Sequence, residues 1–169
     1  MRAAGNLSVT AERFLLTLAL LSIAACSRKE QSSTPTDSSF AALQQRGETA
    51  MGVDQYTSQH VFESLPNGGR IVLQRAESDS AGVAAIRAHM RTISSSFRNG
   101  DFAVPGFVHA TSDVPGTAAM KRLRAEISYT PRDLPGGAEV VISTRNPEAV
   151  SALHEFLAFQ RMDHRAGMH

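Results

Sequence analysis

The sequence predicts an α+β fold in which a β-β-α unit, used twice, forms a four-stranded antiparallel sheet with two helices on one face. Three observations predict it. Stretches of period-two alternation flank a turn at Leu65-Pro66-Asn67-Gly68-Gly69, and two more flank Leu134-Pro135-Gly136-Gly137. Each pair is followed by an amphipathic stretch with helical spacing. Aligned on the two Gly-Gly pairs, Val83 falls on Val150 and Ile86 on Leu153 within one residue.

In the first unit, His60, Phe62 and Ser64 share one face of a strand, and Ile71 and Leu73 share a face of the next. Pro66 fixes one turn dihedral, and the Asn and Gly residues after it tolerate positive φ. Asp79-Ser80 is a helix start, after which Val83, Ile86, Met90, Ile93 and Phe97 recur at intervals of three and four. Asn99-Gly100 ends that helix. No period runs through about 99–121, where Pro105-Gly106 and Pro115-Gly116 bracket Phe107-Val108-His109-Ala110, so the reading there is a long central loop. In the second unit, Leu123, Ala125, Ile127 and Tyr129 alternate, then Ala138, Val140 and Ile142. Asn146-Pro147-Glu148 supplies a cap, a proline at the first helical position and a carboxylate at the positive end of the dipole. Val150, Leu153, Phe156, Leu157 and Gln160 follow, and the apolar face fades toward His164 in a tail read as flexible.

The chain is 169 residues long, and its first 25 do not belong to this domain. Arg2 and Arg13 precede an uncharged apolar run from Phe14 to Ala25, long enough for a signal sequence and too short for a permanent span. The run ends Ile23-Ala24-Ala25-Cys26, which resembles the lipobox of bacterial lipoproteins. The resemblance implies cleavage before Cys26, acylation of that cysteine and a cell-envelope, periplasm-facing protein held by membrane lipid. Ser27, where an aspartate would mark retention at the inner membrane, implies the outer membrane. Residues 26–52, rich in Ser, Thr, Gln and Ala, read as a flexible tether in which Phe40-Ala41-Ala42-Leu43-Gln44-Gln45 offers one helical turn or two, and 53–169 as the domain. Of 17 basic and 16 acidic side chains the leader carries two and one, so the remainder is balanced. That balance argues against a nucleic-acid partner. Over most of residues 51–169, the hairpin–helix layout and its ending His154-Glu155-Phe156-Leu157-Ala158-Phe159-Gln160 are similar to small bacterial lipoproteins without an established activity.

No Walker-type loop, no G-x-S-x-G elbow and no cysteine in the domain is present, which excludes a nucleotide cofactor and the commonest nucleophiles. His154-Glu155 opens like a zinc-protease helix, but Ala158 stands where the second histidine belongs. Histidines and methionines remain. His60 lies on the Phe62 face of the first strand, His89 and His154 lie on the edges of the two helical stripes, and His109 lies in the loop. If those edges meet, the four form a copper or zinc site that a nearby Met90, Met120 or Met162 softens toward copper(I), with Met120, Met162, His164, Met168 and His169 as accessory ligands; Met90, on the buried stripe, also fits a core filler. Two alternatives come from other classes. One is a non-catalytic interaction module that binds an envelope protein through an apolar patch at Phe102, Phe107 and Val108. The other is a small enzyme pairing His154 or His109 with Glu155 or Asp101 as acid and base, although no motif favours an enzyme.

Overall fold

The computed structural model describes residues 35–166. The leader run Phe14–Ala25, Cys26, Met168 and His169 lie outside the described residues. The elements in order are α1 (Pro35–Met51), β1 (Gln59–Leu65), β2 (Gly68–Gln74), α2 (Ser80–Arg98), α3 (Ala103–His109), α4 (Thr117–Arg122), a 3-10 turn (Arg124–Glu126), β3 (Ile127–Leu134), β4 (Gly137–Thr144) and α5 (Pro147–Asp163). The expected α+β class is what forms, with the duplicated β-β-α unit at its centre. Among the described residues no helix is long and apolar enough to cross a membrane.

Two hairpins join edge to edge. The strand order is β1-β2-β4-β3, all neighbours antiparallel, and Ile71 lies opposite Val140 at the middle of the central pair. Phe62, Ile71, Leu73, Tyr129, Ala138, Val140 and Ile142 point to the helices and are buried there, as alternation requires. On the opposite face Glu63, Arg70, Glu139 and Arg132 form a ladder of ion pairs. The α2 stripe of Val83, Ile86, Met90, Ile93 and Phe97 is buried throughout. On α5 the stripe runs through Ala149, Ala152, Leu153, Phe156, Leu157 and Gln160, with Val150 only half buried. Asp79 and Asn146 each cap their helix through a carboxylate or amide oxygen, as their types predict.

The helices cross. α2, which follows the first hairpin, packs chiefly on β3 and β4, while α5, which follows the second, packs on β1 and β2. Each unit therefore covers the sheet half made by the other, and neither hairpin is backed by its own helix.

Three expectations are corrected. The stretch read as tether is helical from Pro35, and its Leu43 and Gln44 are buried. Its helix formers carry too few apolar residues for a visible stripe, and α1 is held instead by packing on α3, where Arg46 Nε donates to Val108 O at 2.8 Å. The central loop holds two short helices. Asp101 Oδ1 accepts from Ala103 N at 2.9 Å to start α3, and Pro105 sits in its first turn, where no intrahelical donor is required. Finally, α5 runs to Asp163 and His164 caps it, so this part of the tail is folded against the domain.

The glycine pairs do more than turn the chain. Gly68 has φ +146°, and a Cβ there would lie 2.1 Å from Ile142 O across the central pair. Gly68→Ala is therefore expected to cost about 2–4 kcal/mol in denaturant unfolding, because neither the dihedral nor the neighbouring backbone yields cheaply. Gly52→Ala, at φ +72° with open space around it, serves as the comparison and should cost about 1 kcal/mol.

Candidate binding site

His154 does not reach the other histidines. Its Nε2 donates to Leu65 O (2.9 Å) and Gly68 O (3.1 Å), at the β1–β2 turn. Both partners are carbonyls, so the proton is on Nε2. In the other unit Arg87 does the same, donating from Nη2 to Leu134 O (2.6 Å) and from Nε to Gly137 O (3.1 Å). Leu65 corresponds to Leu134, Gly68 to Gly137, and the N-cap Asp79 to Asn146, so Arg87 and His154 are the same clasp in the two halves. The expected metal ligand His154 is a fold residue.

Three other histidines do meet. His60 on β1, His109 at the end of α3 and His164 at the end of α5 form one ring cluster. The His60 and His164 ring centroids are 5.2 Å apart with planes 15° from parallel, and His109 stands edge-on to His164 at 5.1 Å. Phe62 lies beside both His60 and His164. β1 brings in His60 because strand alternation places it with Phe62. α5 brings in His164 because Phe156, Gln160 and His164 continue one helical stripe. His89 on α2 faces the same space from the side, near the Ala50 backbone.

Two nitrogens of the cluster, His60 Nε2 and His164 Nδ1, are buried without a hydrogen-bond partner. Burial holds the His60 ring down at about 4, against a pull upward from the Ser58 backbone and a smaller push from His89. Burial, followed by the neighbouring His60 and His109 rings, holds His164 down at about 3. His89 is lowered too, again by burial. These rings are therefore neutral near pH 7 and present lone pairs.

His109 is oriented by two partners. Its Nδ1 meets Asp163 Oδ2, and its Nε2 lies 2.9 Å from Gln160 Oε1. A neutral ring has one N–H and cannot donate to both oxygens. Turning the Gln160 amide over gives His109 Nε2 a donor, and Gln160 Nε2 is otherwise buried without a partner. Asp163 thus fixes the orientation of the ring, with Nε2 turned toward Gln160.

The cluster borders a cavity of about 70 Å³. Phe62, Ile93, Phe97, Val108 and Phe156 supply apolar walls, and Met51 from α1 and Met90 from α2 add two thioethers. Of the residues that the sequence singles out, His60, His89, His109 and His164 come together. Met120 is fully buried core, and Met162 is 69% exposed, turned away into a groove beside Phe40. Sequence reasoning gave no role to Met51, Gln160 or Asp163. The i+4 step from Gln160 to His164 was the available signal for the tail.

Of the acid–base pairings, Asp101 accepts from Ala103 N at the start of α3, His109 meets Asp163 and His154 meets two backbone carbonyls. The expected apolar patch does not form, since Phe102 stacks on Phe97 at 4.8 Å, Val108 is buried and Phe107 alone is exposed. Among the described residues no group of three or more His, Cys, Asp or Glu side chains is arranged to hold a metal ion as it stands. No protein family, curated protein or solved structure matches the chain.

The neutral rings make stability depend on pH. Unfolded imidazoles take up protons near 6.5, whereas folded His60 and His164 wait until about 4 and 3. Across that interval the unfolded chain binds more protons, so stability is full above it and falls as the pH drops. In chelator-treated buffer, denaturant unfolding should show a loss of a few kcal/mol between about pH 7 and pH 4. His164→Phe should flatten that slope.

Proposed function

We propose that the protein is a cell-envelope lipoprotein whose domain binds a transition-metal ion, copper or zinc, through His60, His164 and His109, with His89 at the rim. One observation carries this reading: two unpartnered, neutral imidazole nitrogens are buried on adjoining rings, beside a third ring already oriented by a carboxylate. A ligating histidine commonly gives its other N–H to such a carboxylate, which fixes the ring and strengthens it as a donor. Imidazoles on one tetrahedral ion, at bonds of about 2.0–2.1 Å, hold their centroids about 5 Å apart, which is the spacing found for the two ring pairs. Binding requires Gln160 to release His109 Nε2 and the rings to turn toward a common point.

The duplication adds support. His164 occupies on α5 the place of Phe97 on α2, and His60 occupies on β1 the place of Tyr129 on β3. Phe97 and Tyr129 meet at 5.8 Å in one half, and His164 and His60 meet in the other. The fold accepts an aromatic pair at this corner, so the histidines serve something besides packing.

Isothermal titration of the full chain in detergent with zinc, copper(II) and, without oxygen, copper(I) tests the site. One ion per chain is expected. His60→Phe and His164→Phe should each weaken binding at least about tenfold, and His154→Gln should leave it within about twofold. Affinity no better than that of the unfolded chain, or affinity unchanged in both phenylalanine variants, removes the proposal.

The anchor rests on Ile23-Ala24-Ala25-Cys26. Expressed in a bacterium, the protein should partition into the detergent phase and Cys26→Ala into the aqueous phase. A Cys26→Ala protein that stays with detergent counts against acylation.

A further inference from the structure

We propose that the ion is cuprous, held by the imidazoles together with the thioethers of Met51 and Met90; this rests on the metal reading above. Both methionines line the same cavity as His60, His109 and His164, one from the last position of α1 and one from the buried stripe of α2. A thioether is a soft donor. It binds copper(I) readily and adds little for zinc or copper(II), which favour imidazole, thiolate or carboxylate.

Charge points the same way. Among the described residues the cavity is lined by imidazoles, two thioethers, one amide and apolar side chains, with no carboxylate or thiolate among them. The one carboxylate close by, Asp163, is spent on His109. A divalent ion placed among these groups keeps its full charge against walls of Phe62, Ile93, Phe97, Val108 and Phe156. The cost of moving an ion into such surroundings scales with the square of its charge, so a monovalent ion incurs about a quarter of it. Copper(I) also accepts two or three ligands without a water, which suits a cavity with few polar atoms of its own.

Met51 gives α1 a part in the site. α1 packs on α3, whose last residue is His109, so one helix pair carries both a sulfur and an imidazole to the cavity. A cuprous ion would tie α1 to the sheet and to the end of α5 at once.

The test uses the full chain in detergent without oxygen, with bathocuproine disulfonate competing for copper(I) and a chromogenic dye competing for zinc. Copper(I) should bind at least about 1,000-fold more tightly than zinc. Met51→Leu and Met90→Leu should each weaken copper(I) at least about tenfold and leave zinc within about threefold. Both changes conserve volume, and thermal unfolding of the variants checks that they fold. Copper K-edge absorption gives a second readout that needs no variant, since the wild-type complex should show a sulfur scatterer beside the imidazole nitrogens. Zinc binding as tight as copper(I), copper(I) binding unchanged in both leucine variants, or a shell of nitrogen alone overturns the cuprous assignment while the histidine site stands. Failure to bind any of the ions removes the histidine site itself.

Discussion

The structure depends on a crossed clasp. Each long helix leaves its own hairpin, lies over the other one and is fastened there at the Leu-Pro turn by one side chain that donates to turn carbonyls, with Arg98 to Tyr129 O and Arg161 to Phe62 O as further ties along the outer strands. The clasp gives carbonyls at the end of each hairpin a side-chain donor from the helix that covers it. Gly68 and Gly137 make it possible, since a Cβ at either would meet the backbone of the central strand pair at 2.1 Å. Close contact at the centre and crossing at the periphery are therefore one constraint, and swapping the helices ties the two β-β-α units into a single core.

Crossing decides which side chains can meet. The last turn of α5 lies over the outer strand β1, and the last turn of α2 lies over the outer strand β3. The two corners are equivalent by duplication and differ in content. At the α2 corner Phe97, Phe102, Tyr129 and Phe156 make edge and stacked contacts. At the α5 corner histidines take the positions of Phe97 and Tyr129, and Gln160 takes that of Ile93. α1 and α3 then close over this corner, with Met51 and His109, which the repeat does not supply.

The fold was legible because its signals are local. Strand alternation, the two Pro-Gly turns and the stripe of Val83, Ile86, Met90, Ile93 and Phe97 each repeat within a few residues, and the caps at Asp79 and Asn146 are read from residue type alone. The site was only half legible. His60, His89 and His109 were placed on the correct faces or segments, but which histidine of α5 joins them depends on which hairpin α5 covers, and spacing does not encode that. With each helix set over its own hairpin, His154 at the stripe edge was the natural partner and His164 belonged to a tail. With the helices crossed, His154 becomes the counterpart of Arg87, and His164 becomes the residue over β1. α1 was missed for a different reason: it is stabilised by tertiary contact with α3, and its sequence carries helix formers without a stripe.

A buried imidazole without a partner contributes little to folding. It loses water on both nitrogens and regains one hydrogen bond at most, so an apolar residue of the same volume serves the core better. Tyr129 OH and Ser94 Oγ are also buried without a partner, but each is a single group in otherwise apolar surroundings. At the α5 corner two unpartnered imidazole nitrogens and two thioethers border one space. The fold itself demonstrates the cheaper solution at the other corner. A ligand that binds only the folded chain converts that deficit into stability, in proportion to its concentration over its dissociation constant. On this reading the unsatisfied corner is a receptor for an electron-pair acceptor, and its instability without one, most evident in acid, follows from keeping the lone pairs free.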